Sequence, residues 1–196
     1  MKINKDFPFC EDGSMKYLKV TQKDYCCVGA CLEMILKRHG ITDYDQERIA
    51  YELGLIVPPH LASNFRYART GKKPSAGYGT QIQEPQYSIG HFFKKHNLHF
   101  AQKYYYITSI KEAEKFLNRN SKQDILIIAH CGTLYGSPDA DWGHAVLLDH
   151  INGDQVTIQE NSSKKDREII ALSQLLCAIE THGQENGAGF YLIKKI

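Results

Sequence analysis

Residues 22–36 read QKDYCCVGACLEMIL and place a cysteine at the start of a helical pattern. Apolar residues recur at helical spacing from Cys27 onward, which predicts a helix over residues 27–39 that ends at Gly40. The positive end of a helix dipole and the unpaired amides of the first turn both stabilise a thiolate. The segment therefore makes Cys27 a candidate nucleophile.

A nucleophilic cysteine needs a base and a donor for the oxyanion, and the chain offers one of each. Gln22 lies close enough in the sequence for its amide to reach the same pocket as Cys27 once the intervening turn folds back. Farther along, the pair Gly143-His144 opens an apolar strand, which would hold an imidazole on a rigid element. These residue types suit thiol-dependent chemistry.

Three segments resemble the papain-like cysteine peptidase superfamily, and in particular its bacteriocin-leader (double-glycine) peptidase-like family. Residues 22–36 are similar to the family's Gln-x4-Cys-x3-(Cys/Ser)-Leu-x-Met-(Ile/Val)-Leu segment. Residues 142–148 are similar to its Gly-His strand, and residues 156–161 stand where a Val-x-Val-x-Asp-Pro strand end is expected. The resemblance implies that Cys27 is the nucleophile, Gln22 the oxyanion donor and His144 the general base.

The resemblance also implies a third residue that orients His144, and two neighbouring positions compete for this role. Glu160 stands where the family has Asp, and it shares strand parity with Val156 and Ile158. Asn161 is the alternative, because papain itself orients its histidine with an asparagine. Both Glu160 and Asn161 are therefore candidate catalytic residues.

We expect an α+β, papain-like fold in which an N-terminal nucleophile helix packs on a C-terminal antiparallel sheet. Hydrophobic periodicity and capping residues predict further helices over residues 46–53, 89–97, 109–117 and 172–179, and strands over residues 15–20, 98–107, 125–130, 144–150, 155–159 and 189–193. Residues 55–86 carry too many Gly and Pro residues for a long regular element. We expect this loop and the helix over residues 89–97 to flank the cleft.

The expected function is a thiol-dependent acyl transfer in which Cys27 attacks an amide or thioester carbonyl. With water as the acceptor the chain would be a thiol peptidase or amidohydrolase acting on a peptide, protein or acyl-thioester substrate. With an amine acceptor, the same site would serve an acyltransferase or a transglutaminase-like enzyme. From a different class, the chain would be a non-catalytic papain-like binding module in which Cys27 is inert.

Length, charge and hydropathy restrict the class of protein further. The 196 residues fit a single domain over residues 1–196, and 24 basic against 22 acidic residues give a net charge of only +2. Such a weak field predicts neither nucleic acid nor a membrane surface as a partner. No apolar run is long enough to span a bilayer, and no signal peptide is evident, so we expect a cytoplasmic protein, with export by another route left open.

Most of the cysteines are expected to be thiols, because a chain of this length with no secretion signal does not favour a disulfide framework. Cys26 and Cys27 are adjacent rather than spaced as C-x-x-C, and His130-Cys131 has no second pair to complete a zinc pattern. We therefore expect no metal and no cofactor. Cys31 shares the helix face of Cys27 and is expected to pack in the core, with Cys26 pointing away.

The sequence context of the remaining histidines predicts different locations for them. His130 ends an apolar strand and is expected to be a satisfied core or supporting residue. His96, His99 and His182 are expected at the surface.

Overall fold

The computed structural model describes residues 16–162 and 165–196. Its α-helices are Cys27–Arg38 (α1), Gln46–Glu52 (α2), Ile89–Lys95 (α3), Ile110–Asn120 (α4), Cys131–Tyr135 (α5) and Leu172–His182 (α6). Its strands are Ile56–Val57 (β1), Arg69–Thr70 (β2), Phe100–Tyr105 (β3), Asp124–His130 (β4), Gly143–Asn152 (β5), Gln155–Gln159 (β6), Arg167–Ala171 (β7) and Gly189–Lys195 (β8). Short 3-10 turns cover Pro59–Asn64, Pro85–Tyr87 and Gln184–Asn186.

The main sheet is antiparallel and has the strand order β3-β8-β4-β5-β6-β7. At its centre, Ile127 of β4 pairs with Phe190 of β8 on one side and with Val146 of β5 on the other. The short strands β1 and β2 form a separate parallel pair. The six strands of this sheet therefore all come from the C-terminal half of the chain.

The central strand β4 is apolar on both faces because helices cover both sides of the sheet. Leu126 and Ile128 join a core that includes the apolar face of α1, whereas Ile125 and Ile127 join a second core that includes residues of α4 and α6. All four side chains are buried. This packing of an N-terminal helix on a C-terminal antiparallel sheet confirms the fold class predicted from the sequence.

The helix α1 also packs closely against α2. Gly29 makes this contact possible, since a Cβ at position 29 would overlap the backbone oxygen of Gln46. At its other end α1 stops at Arg38, and Gly40 follows with φ 77°. Glycine adopts this left-handed conformation without steric cost, so the predicted end of the helix is confirmed.

Several sequence predictions need correction. The predicted strand over residues 15–20 is wrong for residues 16–20, and Met15 lies outside the described residues. Here Tyr17 and Val20 are the buried positions, so burial does not alternate as in a strand. The segment is held instead by its side chains, among them Lys16, whose Nζ donates to backbone carbonyls at the start of β4.

Other differences concern short elements and one cap. The helix α4 begins as predicted, but Ser109 makes no side-chain capping hydrogen bond. The five-residue helix α5 and the strand β7 were not predicted, because α5 is too short for a periodic pattern and β7 is an edge strand with Ile169 exposed. Among the described residues, no helix has the length and apolar character needed to cross a membrane.

The end of β4 far from His130 holds a buried carboxylate, that of Asp124. It accepts hydrogen bonds from the Tyr17 hydroxyl (3.0 Å) and from Nε2 of His39 (2.7 Å), and it pairs with the guanidinium of Arg38. Burial alone would raise the pKa of Asp124, but the His39 hydrogen bond and the charge of Arg38 outweigh it and hold the pKa below its ordinary value. These contacts fasten α1 and the 16–20 segment to the sheet.

Candidate active site

Cys27 is the first residue of α1 and is half-buried. The preceding turn holds Tyr25 in the left-handed region, with φ 62°. Such strained backbone at a non-glycine residue is found preferentially at functional sites. The backbone amides of Val28 and Ala145 donate to the Cys27 sulfur. Both donors favour a thiolate over a thiol.

His144 is the second residue of β5 and is buried. Its Nε2 lies 2.9 Å from Oε1 of Glu160, and its ring also forms a side-chain hydrogen bond with Cys27. With Nε2 engaged by Glu160, Nδ1 is the nitrogen left for the sulfur. The imidazole therefore lies between Cys27 and Glu160.

Hydrogen bonding in this row of side chains reverses the effect of burial on both pKa values. Burial alone would raise the pKa of Cys27, but the hydrogen bond with His144 and the charge of the ring outweigh it, so the pKa lies below its ordinary value. Burial alone would lower the pKa of His144, but the hydrogen bonds to Cys27 and Glu160 raise it to about 9. The arrangement favours a thiolate–imidazolium pair at neutral pH.

Glu160 follows β6 directly, and its carboxylate accepts hydrogen bonds at both oxygens. Besides His144, Oε1 accepts from the backbone amides of Asn161 (2.7 Å) and Ser162 (3.1 Å), while Oε2 accepts from the hydroxyl of Tyr135. Burial would raise the pKa of this carboxyl, but the hydrogen bond with His144 and the other donors lower it to about 2. Glu160 is therefore ionised across the neutral range.

Asn161, the alternative orienting residue, is directed elsewhere. Its Nδ2 donates to the backbone carbonyls of Cys27 (3.1 Å) and Ala145 (2.9 Å) and lies 3.3 Å from Sγ of Cys31. None of the side-chain hydrogen bonds of Asn161 reaches His144. The geometry thus favours Glu160 beside the ring, and Asn161 ties the start of α1 to β5.

Gln22 lies at the same cleft as Cys27. Its backbone amide donates to the carbonyl of Asn161 (2.7 Å), and the residue lines the cleft together with Cys27 and His144. Its Oε1 is buried and has no hydrogen-bond partner among the described residues. The placement suits the predicted oxyanion donor, and that role remains a prediction.

The cleft over these residues has a volume of about 800 Å³. One part of its lining comes from residues 73–83, within the long irregular segment that was expected to flank it. Other parts come from residues 141–145 and from the end of α6. The helix α3, which was also expected there, does not line the cleft, because Phe92 and Phe93 pack in the core beside α1. That part of the prediction is wrong.

Three residues near the site were not predicted to contribute to it. Tyr135 contacts Glu160 from α5, and Trp142, which is 58% exposed, lines the cleft beside Gly143. His182 was expected at the surface but is half-buried, with its ring in the space that a Cβ at Gly143 would occupy. No local pattern marks Tyr135 or His182, since each reaches the site from a helix that is remote in sequence.

His130 behaves as the sequence suggested. Its Nδ1 lies 2.9 Å from the hydroxyl of Thr133, and its Nε2 lies 3.2 Å from Oδ1 of Asp141. It lines the cleft as a partnered, half-buried residue.

The described cysteines are all free thiols, whereas Cys10 lies outside the described residues. Cys31 is buried in the core, as predicted. Cys26 points away from Cys27 and is buried in a separate apolar cluster beside α2, where burial raises its pKa to about 12. Among residues 16–162 and 165–196, no group of His, Cys, Asp and Glu side chains is placed to hold a metal ion.

Comparisons with known proteins bear on the fold. No family model matches the sequence, and no curated protein matches it. Among solved structures, the chain is similar to a candidate C39-like peptidase from Bacillus anthracis, with a TM-score of 0.58 and 16% sequence identity over 91% of this chain and 94% of that chain. At this level of identity the likeness concerns the fold alone. The chain thus has the fold of a C39-like peptidase, in agreement with the papain-like architecture expected from its sequence.

Proposed function

We propose that this protein is a cysteine peptidase or amidohydrolase. The observation that carries the proposal is the placement of His144 between the Cys27 sulfur and the Glu160 carboxylate at the cleft. A nucleophile, a base that contacts it and a third group that orients the base are the requirements of nucleophilic acyl transfer.

In the proposed acylation, the Cys27 thiolate attacks the substrate carbonyl carbon, and a C–S bond forms. The negative charge that develops on the carbonyl oxygen is stabilised by the Gln22 side-chain amide and by the Cys27 backbone N–H, which has no intrahelical acceptor at the first position of α1. His144 then gives the proton at Nδ1 to the leaving amine as the C–N bond breaks. The result is an acyl-enzyme and a free amine.

In the proposed deacylation, water takes the place of the amine. Neutral His144 removes a proton from the water as its oxygen attacks the acyl carbon, and the C–S bond breaks. The proton returns to the Cys27–His144 pair, so both side chains recover their starting state. Glu160 keeps the imidazole in one orientation and stabilises its positive charge during acylation.

The cleft supports a peptide or another extended amide as the substrate. It is partly open to solvent, and it offers aromatic surface at Tyr78 and Trp142 together with the flexible cation of Lys73. Such a surface accommodates a polypeptide segment better than a small polar metabolite, whose binding requires a closed pocket with convergent polar groups.

The reactivity of Cys27 tests this proposal, with Cys177 as a control in the same chain. Cys177 is the exposed cysteine of α6, whereas Cys27 is half-buried. At pH 6.5 an ordinary thiol is almost fully protonated, so we expect iodoacetamide to alkylate Cys27 at least about tenfold faster than Cys177 despite its lower exposure. Peptide mapping by mass spectrometry assigns the labelled residue.

Turnover then identifies the reaction. Incubation with a peptide panel should give products and a Cys27 acyl adduct for the wild-type chain and for Cys177→Ser, and neither for Cys27→Ala. A product that carries an added amine instead of water would identify an acyltransferase. Slow alkylation of Cys27 combined with no Cys27-dependent product would contradict the proposal and favour a binding module.

A further inference from the structure

Tyr135 is a half-buried contact of the candidate site that the mechanism above does not use. Of the two carboxylate oxygens of Glu160, Oε1 accepts from His144 and from two backbone amides, whereas the Tyr135 hydroxyl is the hydrogen-bond donor to Oε2 among the described residues. The Tyr135 ring also lies against the imidazole of His144, with ring centroids 6.0 Å apart at an interplanar angle of 61°. Tyr135 thus contacts two of the three side chains in the row.

The helix that carries Tyr135 is held firmly for so short an element. At its start, the Thr133 amide donates to Nδ1 of His130 (3.1 Å), and at its end Gly136 adopts a left-handed conformation with φ 64°. From the side, Nε2 of Gln174 in α6 donates to the carbonyl of Leu134 (2.9 Å). These contacts fix the backbone on which the tyrosine hydroxyl depends.

We propose that Tyr135 is a positioning residue that holds Glu160 in one rotamer and shares the negative charge of its carboxylate, and so limits how strongly Glu160 holds the proton of His144. The inference rests on the proposed function, since it assigns Tyr135 a role in the same acyl transfer. Tyr135 contacts no substrate in this scheme. It acts on the reaction through Glu160 and His144.

The direction of the effect follows from electrostatics. A donor to Oε2 stabilises the anion and withdraws electron density from the oxygen that accepts from His144. Without that donor the carboxylate attracts the imidazolium proton more strongly, so His144 gives its proton to the leaving group less readily. Loss of the hydroxyl should therefore slow acylation and shift the titration of His144 to higher pH.

Other titratable groups face the side chains of Cys27, His144 and Glu160. None of them can replace Tyr135 as the hydrogen-bond donor to Oε2 of Glu160. Cys27 and Cys31 face it from α1, Cys131 from α5 and Glu168 from β7. The thiols are weak donors, and Glu168 is an anion near Tyr135 rather than a donor. Removal of the Tyr135 hydroxyl is therefore not compensated by a neighbouring side chain.

The matched control lies at the other end of the sheet. Tyr17 is buried, and it also donates its hydroxyl to a buried carboxylate that accepts from a histidine, but that carboxylate is Asp124. Tyr17→Phe and Tyr135→Phe therefore remove the same kind of hydrogen bond. Only the second should alter the chemistry.

The test measures alkylation of Cys27 by iodoacetamide from pH 5 to 10, together with peptide turnover, in the wild type and in both variants. For Tyr135→Phe we expect about a tenfold loss of kcat/KM and an upward shift of the upper inflection by about half a pH unit. Tyr17→Phe should leave both unchanged for the folded protein. Site-specific replacement of Tyr135 by 3-fluorotyrosine, a stronger donor on the same ring, should shift the inflection downward and covers the case in which Tyr135→Phe does not fold.

An unchanged or lowered inflection in Tyr135→Phe, or equal effects of the two Phe variants, would overturn the assignment of Tyr135. If alkylation of wild-type Cys27 shows no enhanced reactivity at all, the proposed function fails instead. The alkylation profile needs no substrate, so it separates the two outcomes.

Discussion

Two buried carboxylates, at opposite ends of the sheet, have nearly the same neighbours. Asp124 at the start of β4 and Glu160 after β6 each accept from a tyrosine hydroxyl and from Nε2 of a histidine. The difference is the fixed cation. Asp124 is neutralised by Arg38, whereas among the described residues no Lys or Arg forms an ion pair with Glu160.

That difference explains why one cluster is suited to chemistry and the other to stability. At Asp124 the guanidinium of Arg38 balances the charge of the carboxylate. At Glu160 the imidazolium of His144 is the cation that forms, and hydrogen bonds with Cys27 and Glu160 raise the pKa of His144 to about 9. The second ring nitrogen of His144 then meets a cysteine in an open cleft. The tyrosine–carboxylate–histidine group that we propose for proton transfer is thus the one in which no Lys or Arg among the described residues pairs with the carboxylate.

The largest effect is expected from substitution of Glu160, the carboxylate beside His144. Glu160→Gln removes the anion that stabilises the imidazolium, and its amide can present an N–H to the ring and so favour the wrong tautomer. We expect kcat/KM to fall about a thousandfold and the upper limb of the pH profile to move down from about 9 toward the ordinary histidine value. Steady-state kinetics from pH 5 to 10 measure both. An unchanged limb would refute the role of Glu160.

The matching change at the other end should affect folding instead. Asp124→Asn leaves Arg38 and the neighbouring cations without their buried anion, and breaking such a pair costs about 3 kcal/mol of unfolding free energy. Urea denaturation measures the loss, and kcat/KM per folded molecule should equal that of the wild type. A thousandfold loss of activity here would show that the two ends do not act independently.

Substitution of Asn161 distinguishes two possible roles of this residue, namely positioning of the backbone at Cys27 and orientation of the His144 imidazole. In Asn161→Ala the carbonyls of Cys27 and Ala145 lose their donor, which should lower the free energy of unfolding by about 2 kcal/mol. The upper limb of the pH profile should stay in place, because Asn161 donates to those carbonyls and not to His144. If Asn161→Ala abolishes activity while Glu160→Gln leaves the profile intact, the papain-style amide is the orienting group.

The smallest expected effect is on how the free energy of unfolding depends on pH in acid. It should be found for both Asp124 and Glu160. Both carboxyls have a lower pKa in the folded state than in the unfolded state, about 2 against an ordinary 4.5 for Glu160, so the unfolded chain binds more protons as the pH falls. Stability from these groups is complete above about pH 5 and is lost toward pH 2, with a slope of at most about 1.4 kcal/mol per pH unit for each group. Urea unfolding between pH 3 and 6 should show a shallower slope in Asp124→Asn and in Glu160→Gln. Equal slopes in all three proteins would contradict the assignment.

Secondary structure was predicted most accurately for elements whose buried residues form a clear apolar pattern in the sequence. The helix α1 and the strands β4 and β5 are covered by the core, so their apolar patterns predicted them nearly to the residue. The same logic failed for residues 16–20, where alternation arose without a neighbouring strand to pair with. A periodic apolar pattern indicates which residues are buried. It indicates a strand only where the backbone also has a neighbouring strand with which to form hydrogen bonds.

For the candidate site, a helix start indicated Cys27 and a strand start indicated His144, whereas Glu160 was implied by the family resemblance, with strand parity favouring it over Asn161. It could not predict Tyr135, since the contact with Glu160 depends on how a five-residue helix sits against α6. Nor could it predict the ring of His182 beside Gly143. Contacts of this kind are set by the packing of whole elements rather than by neighbours in the sequence.

The two close approaches at glycine have different consequences for divergence among related sequences. Gly29 faces the backbone oxygen of Gln46, which every amino acid carries, so no second substitution can make room for a side chain there. Gly143 faces the side chain of His182, which a smaller residue would remove. Relatives of this fold that keep the α1–α2 contact should therefore be invariant at position 29. Positions 143 and 182 should instead change together. The cleft wall beside His144 is thus a region where paired substitutions can change the shape of the cleft.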